Sequence, residues 1–333
     1  MVTEDRGNRE KSIERLLDEA RERAHALAGD FAAMVEAARR RETWVELGTG
    51  LSLGGVGSVG DDGCGSGGDS LAVETLALDD GAISELVDGV DETGYFVIPR
   101  LVDPGFIERL RYGVERVRAA GWPPVFVAVF DEFWTVVRTP SFVRLASSLL
   151  GDGYRYLPNV WAHYVSSDRQ VAGWAPHVDG QYGSERMSIW LPLSEATTRN
   201  GCIGLVPKDL MPPSVGDGYI ERTTYSFGEL QMMLQGSRAR PASPGAIMGW
   251  EFGVLHWGSV CQDGESPRVS MAVELVAEGA ALREDEGLAR RADEPIPAFE
   301  ERLIIIGRGL ASYARFEPAM LKYAGFAEAL RVG

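Results

Sequence analysis

Between residues 154 and 276 the chain is a succession of short apolar runs broken by turn residues. No other feature limits the fold as strongly. Tyr154–Val165, Met187–Leu193, Ile203–Val206, Ala246–Trp250 and Val269–Leu275 read as strands, with Gly, Pro, Asn and Asp between them. Short strands following one another without intervening helices predict an antiparallel sandwich or jelly roll.

Helical signals flank this β-rich stretch. Over residues 9–42, Ile13, Leu16, Leu17, Ala20, Ala24, Leu27, Phe31, Met34 and Val35 recur at three- and four-residue steps, with charges on the other face. Gly29-Asp30 is the expected break in that helix. Arg39, Arg40 and Arg41 lie near its end, where the helix dipole favours cations. Such a helix packs on the main domain or pairs with a second subunit, giving a homo-oligomer. Ten of the 40 glycines then fall between Gly48 and Gly68, the composition of a linker or surface loop. The stretch has no GxxxxGK[ST] pattern, so it is not a phosphate loop. Tyr95-Phe96-Val97-Ile98 reads as a strand. Asp103-Pro104 opens a helix as N-cap and first-turn proline. Phe126-Val127-Ala128-Val129 reads as another strand, and 140–150 as a helix ending at Gly151. From about Ala298 a helical stripe returns, through Leu303, Ile306, Leu310, Tyr313 and Phe316. The expected organisation is a helical extension (1–47), a Gly-rich linker (48–70), the main domain (71–285) and a C-terminal helical extension (286–333).

Composition removes several function classes. The formal net charge of -16 repels phosphate backbones and anionic lipid surfaces, which argues against nucleic-acid and membrane partners. The three cysteines, Cys64, Cys202 and Cys261, are widely spaced and odd in number. They suit a reducing cytoplasm, not a disulfide framework or a zinc ribbon. The first residues lack the apolar core of a signal peptide, and no apolar run of about 18 residues exists to cross a membrane. A cytoplasmic protein acting on a small molecule is the expectation.

Four histidines are present: His25, His163, His177 and His256. His177-Val178-Asp179 forms a His-x-Asp, His256 lies 77 residues beyond Asp179, and Arg268 follows His256 by twelve. Non-haem Fe(II) that must take up a cosubstrate and O2 wants three protein ligands on one face, and two imidazoles with one carboxylate supply that set. Residues two apart on a strand share a face, so His177 and Asp179 can aim together. An arginine on a neighbouring strand can grip a dicarboxylate cosubstrate with two prongs. Singly, each residue has a plainer reading. His-x-Asp fits a locally hydrogen-bonded turn, His256 a core histidine, and Arg268 a surface salt bridge. The ordered set inside one β-rich region is what points to a metal.

With these residues in hand, the sequence resembles the phytanoyl-CoA dioxygenase-like branch of the Fe(II)/2-oxoglutarate-dependent oxygenases. The resemblance covers about 84–278 and rests on Gly94-Tyr95-Phe96-Val97-Ile98-Pro99, on Ser188-Ile189-Trp190-Leu191-Pro192-Leu193 followed by Asn200-Gly201-Cys202, and on Pro244-Gly245-Ala246 leading to His256. It implies an α+β protein with a double-stranded β-helix core. It implies iron held by His177, Asp179 and His256, with 2-oxoglutarate and O2 as cosubstrates. Arg268 would hold the distal carboxylate of 2-oxoglutarate, with Ser270 adding a hydrogen bond. Trp190 matches a position that flanks the cosubstrate, and Asn159 or His163 would bond the proximal carboxylate. Related halogenases lack the carboxylate that stands here as Asp179, so the resemblance favours oxidation of a C–H bond over chlorination. The acidic chain is poorly suited to an anionic CoA thioester, and the expected substrate is instead a small metabolite or secondary-metabolite intermediate. Trp174, Gln181, Tyr182 and Trp257 border the motif as candidate substrate contacts. The competing readings are a cupin-like iron enzyme that does without 2-oxoglutarate and a non-catalytic jelly-roll binding protein.

Overall fold

The structure, a computed structural model, describes residues 28–48, 50–54, 73–167, 173–181, 183, 185–211, 218–219, 226–314 and 316–331. Most of the Gly-rich linker, and residues 9–27 of the helix expected over 9–42, lie outside the described residues. The helices are α1 (Ala28–Arg39), α2 (Arg41–Leu47), α3 (Asp80–Thr93), α4 (Pro104–Ala119), α5 (Asp131–Thr135), α6 (Pro140–Leu150), α7 (Phe227–Gly236), α8 (Phe299–Tyr313) and α9 (Ala324–Arg331). The strands are β1 (Tyr95–Ile98), β2 (Arg155–Val165), β3 (His177–Val178), β4 (Arg186–Pro192), β5 (Ile203–Val206), β6 (Gly218–Tyr219), β7 (Arg238–Arg240), β8 (Ile247–Glu251), β9 (Leu255–Gly258), β10 (Arg268–Val276) and β11 (Arg290–Arg291).

They form two antiparallel sheets, ordered β1-β8-β4-β10-β2-β11 and β6-β3-β9-β5-β7. From β2 to β5 and again from β8 to β10 the chain alternates between the sheets. This is the winding of a double-stranded β-helix, a jelly-roll arrangement. The five strands read from the middle of the sequence are present within one or two residues of their expected ends.

The central strands β8, β4 and β10 of the six-stranded sheet are buried nearly throughout, and their side-chain alternation sorts residues into two environments. Met187, Ile189 and Leu191 of β4, with Val269, Met271, Val273 and Leu275 of β10, join the large apolar core shared with the helices. The intervening Trp190 of β4 packs with Met248 and Trp250 of β8 and with Ile203 and Leu205 of the other sheet. Helix α8 belongs to the same large core through Leu303, Ile306 and Leu310. On the N-terminal side, Trp44 of α2 is fully buried and stacks on Phe126 at 5.1 Å, while its indole N–H donates to the Ala38 carbonyl at 2.8 Å.

Three sequence expectations are corrected. Phe126–Val129 is not a strand: Pro124–Val129 is a 3-10 helix whose residues Val125 to Val129 are all buried. A short run buried on every side has no period to distinguish the two states, and Pro123-Pro124 starts the tighter helix. Gly29-Asp30 lies inside α1, and the interruption comes at Arg40, which is extended at φ -85°, ψ 118°. The β-rich stretch is not free of helices either. The segment α7 is nucleated by Ser226, whose hydroxyl accepts from the Glu229 N–H while Glu229 accepts from the Ser226 N–H. The Asp103 cap is as expected, accepting from the Phe106 N–H at 2.9 Å.

Candidate active site

The site forms where the chain crosses between the sheets. Strand β3 is two residues long and pairs with β9 so that His177 and His256 stand directly opposite one another. Strands β8 and β9 belong to different sheets, and a tight turn with Val254 N–H bonded to the Glu251 carbonyl joins them. The carbonyl of Phe252, in that turn, accepts from the N–H groups of both Asp179 and Gly180. The backbone therefore fixes Asp179 just beyond the end of β3, beside the pair of histidines.

The three side chains converge. His177 Nε2 lies 3.6 Å from Asp179 Oδ1, and His256 Nε2 lies 3.6 Å from Asp179 Oδ2. The imidazole centroids are 4.3 Å apart, and one candidate ligand atom from each residue falls within 4.8 Å of the others. Each histidine bonds through Nδ1 to the carbonyl two residues before it, His177 to Ala175 at 2.7 Å and His256 to Val254 at 3.0 Å. A carbonyl only accepts, so both Nδ1 atoms carry the proton and both Nε2 lone pairs are left for an ion. This is the tautomer of a metal ligand. Asp179 Oδ2 accepts from Ser188 Oγ at 2.6 Å and from Trp250 Nε1 at 3.2 Å. Burial raises the Asp179 carboxyl, but His256 and His177, with these two donors, outweigh it and hold it below the ordinary carboxylate range. Two imidazoles, one carboxylate and an adjoining cavity are the donor set of non-haem iron, and the residues fit that ion.

Arg268 opens β10 and lines the same cavity. It is 1% exposed and makes no salt bridge with a carboxylate among the described residues. Its Nη1 donates to Ser270 Oγ at 3.1 Å, two residues along on the same face, and its guanidinium lies 5.8 Å from the Trp190 ring. Burial pushes it down to about 10, so it stays charged at neutral pH. Gly258 leaves room for it: a Cβ there would meet Arg268 Nη2 at 3.0 Å.

The remaining expected residues divide. Trp190 and His163 line the cavity. His163 pairs in register with Ser270 and packs edge-on to Trp174 at 4.9 Å. Burial, then Arg268 and His177, push it well below its ordinary pKa, so it is neutral. Asn159 does not line the cavity; its amide donates to Glu274 Oε2 at 2.6 Å. Trp174 lines the cavity, Gln181 lines a separate cleft beside α3 and α6, Trp257 packs over Gly204, and Tyr182 lies outside the described residues.

Two contributions escaped the sequence reading. Glu274 lines the cavity from β10. The end of α8 supplies Tyr313, whose hydroxyl donates to Glu274 Oε1 at 3.0 Å, and just beyond it Phe316 lies 5.0 Å from the His177 ring. Burial, with Asp179 adding, pushes the Glu274 carboxyl up to about 7. The alternation Arg268, Ser270, Ala272, Glu274 was a visible signal for Glu274, whereas nothing local ties Tyr313 to the site.

No family model matches the sequence, and no curated protein matches it. Among solved structures the fold is similar to that of the epimerase SnoN in complex with Fe3+, alpha ketoglutarate and nogalamycin RO. Identity is 19%, the TM-score is 0.50, and the match covers 62% of this chain and 87% of that one. The non-heme alpha ketoglutarate dependent carbocyclase SnoK matches at 16% identity and TM-score 0.49, over 67% of this chain and 95% of that one. EctD from S. alaskensis matches at 16% and 0.49, over 68% and 86%. At such identity the likeness to SnoN concerns the fold alone, and it agrees with the winding of the two sheets: this chain is a double-stranded β-helix protein with flanking helices.

Proposed function

We propose that the chain is a non-haem Fe(II)- and 2-oxoglutarate-dependent oxygenase that oxidises a C–H bond of a small metabolite or secondary-metabolite intermediate. One observation carries the reading. A buried, charged Arg268, with no ion pair among the described residues, shares a cavity with two Nε2-directed histidines and a carboxylate. A buried guanidinium without a carboxylate is costly until an anion arrives. The arginine therefore favours 2-oxoglutarate use over a cupin-like enzyme that does without it.

In this reading His177, Asp179 and His256 hold the iron. Asp179 Oδ2 is committed to Ser188 and Trp250, which leaves Oδ1 to bind it. The Nδ1 bonds lock both imidazoles in the ligating tautomer. Arg268 and Ser270 receive the distal carboxylate of 2-oxoglutarate, and the neutral His163 stands beside the cosubstrate without adding charge. Bound iron, with 2-oxoglutarate and O2, supplies the oxidant. The aromatic residues Trp161, Trp174, Trp190 and Trp250 keep water from it. The phytanoyl-CoA dioxygenase-like branch is the proposed family, supported by the Trp190-Leu191-Pro192-Leu193 and Asn200-Gly201 segments. The proposed oxygenase domain is 71–285, and the C-terminal extension adds β11 to its six-stranded sheet and brings Tyr313 and Phe316 to its site.

Succinate formation tests the proposal. Protein loaded anaerobically with Fe(II), then given 2-oxoglutarate, ascorbate and O2, is expected to release succinate slowly without prime substrate, and His177→Ala to release none. Failure of the parent protein both to form succinate and to bind 2-oxoglutarate in an anaerobic titration overturns the assignment.

A further inference from the structure

Along β10 the residues Arg268, Ser270, Ala272 and Glu274 alternate on one face of the sheet. Six residues at about 3.3 Å each put the ends of this row roughly 20 Å apart. The ends carry opposite charge. The Arg268 end is the cosubstrate end in the reading above, and the Glu274 end is unused by it.

The surroundings of Glu274 are acidic and aromatic. Asn159 Nδ2 and the Tyr313 hydroxyl each donate to one of its oxygens. A carboxylate offers about four acceptor positions, so about two remain. The charges that perturb it, Asp179 and Glu286, are both negative, and no basic residue among the described residues forms an ion pair with it. Trp161, Trp174 and Tyr313 line the same cavity, with centroids 4.9 Å (Trp161–Tyr313), 5.0 Å (Trp174–Tyr313) and 6.1 Å (Trp161–Trp174) apart. A second carboxylate, Glu317, lies against the indole N–H groups of Trp174 and Trp161, which approach it without full hydrogen-bond geometry. Aromatic faces attract cations, and a carboxylate out of water without a basic partner gains most from one.

We infer that Glu274, framed by Trp161, Trp174 and Tyr313, is the anchor for a cationic ammonium group of the prime substrate. The substrate class is then an amine-bearing metabolite, held by its charge at one end of the row while 2-oxoglutarate is held at the other. A neutral hydroxyl in place of the ammonium loses the charge attraction at both the carboxylate and the rings. The inference rests on the oxygenase reading of the cavity.

Calorimetric titration of the Fe(II)-loaded, anaerobic protein tests it, first with 2-oxoglutarate and then, in its presence, with cyclohexylmethylamine and with cyclohexylmethanol. At pH 8, where the titrations are run, the amine is protonated and the alcohol is its neutral counterpart. The amine is expected to bind at one site at least tenfold more tightly than the alcohol, in 0.15 M salt to screen the acidic surface. Glu274→Gln is expected to bring the two probes within threefold of each other. If 2-oxoglutarate binds and the amine shows no preference over the alcohol, the anchor is wrong while the oxygenase reading stands. If the preference survives Glu274→Gln, the amine is bound elsewhere and the anchor is again wrong. Should that variant not fold, Trp174→Leu takes its place: loss of that ring face is expected to cut the amine preference at least threefold, and an unchanged preference overturns the anchor. If 2-oxoglutarate itself does not bind, the underlying reading is the part that fails.

Discussion

Arg268→Met separates an arginine kept for a ligand from one kept for the fold, because the two roles predict stability changes of opposite sign. Burial lowers the guanidinium from 12.5 to about 10. At 1.36 kcal/mol per pH unit, holding the charge inside costs the ligand-free protein about 3 kcal/mol. The hydrogen bond to Ser270 returns about 1 kcal/mol. Methionine has similar length and no charge, so the ligand-free variant should be more stable by about 2 kcal/mol. Bound 2-oxoglutarate would meet the reverse: its distal carboxylate would be buried without a partner. Removing one member of such a pair costs about 2–5 kcal/mol, or roughly 30- to several-thousand-fold in Kd. Thermal unfolding with and without 2-oxoglutarate, on anaerobic Fe(II)-loaded protein, reads both quantities. Ligand at a hundredfold excess over the parent's Kd should stabilise the parent by about 2.7 kcal/mol and the variant by about 0.9 kcal/mol at most. Arg268→Lys keeps charge but not the fork and should fall between. An affinity for 2-oxoglutarate within threefold of the parent would refute the assignment. A ligand-free Arg268→Met protein less stable by about 2 kcal/mol or more would show that the energetic argument about the unpaired charge is wrong.

Other parts of the structure give further tests. Ser188→Ala removes the 2.6 Å bond that orients Asp179 and should weaken Fe(II) binding by about 10- to 100-fold, measured by competition with a chromophoric chelator. Arg186 grips Glu286 through two bonds of 2.6 and 2.9 Å, and both residues are buried, so Glu286→Gln should cost about 3–5 kcal/mol in urea unfolding at pH 7. Burial raises the Glu286 carboxyl, but Arg186 and the Arg283 N–H outweigh it and leave the folded pKa below 4.5. A depressed carboxylate stabilises fully above its unfolded pKa. That contribution should fade as pH drops from about 4.5 through the lowered value, and Glu286→Gln should flatten this acid limb. Asp103→Ala removes the cap of α4 and should cost about 1 kcal/mol, seen as a lower urea midpoint at unchanged slope.

How much was legible follows from the range of each interaction. The strands of the middle region were readable because turn residues delimit them, and the Asp103 cap because it acts over three residues. Phe126–Val129 was misread because full burial on all sides removes the period that separates a strand from a helix. The break at Arg40 carries no glycine or proline. The helix α7 was missed although Ser226 and Glu229 stand at capping-box spacing, because the apolar period after them is weak. His177, Asp179 and His256 were legible as a set only because few histidines compete for the role. That they meet at one point depends on β3 pairing with β9, a contact across 79 residues of sequence.

The strand β10 shows why half of a site can be read and the other half not. Its odd-numbered residues Val269, Met271, Val273 and Leu275 fill the helix-side core, which dictates where its even-numbered residues must point. Once Arg268 is placed at the cavity, Ser270 and Glu274 follow by the period of two, and no tertiary knowledge is needed. What they meet there is supplied from elsewhere. Asn159 shares a strand face with Trp161 and His163 and, on that ground, was expected at the cosubstrate. A carboxylate four positions past Ser270 captured it instead. Tyr313 reaches the same carboxylate from the far end of a helix whose stripe reads as plain core packing. The local period assigns a face to each residue, but the pairing of polar groups on that face is settled by which buried charge most needs a donor. In this cavity that charge is Glu274, and its need explains both the displaced asparagine and the unexpected tyrosine.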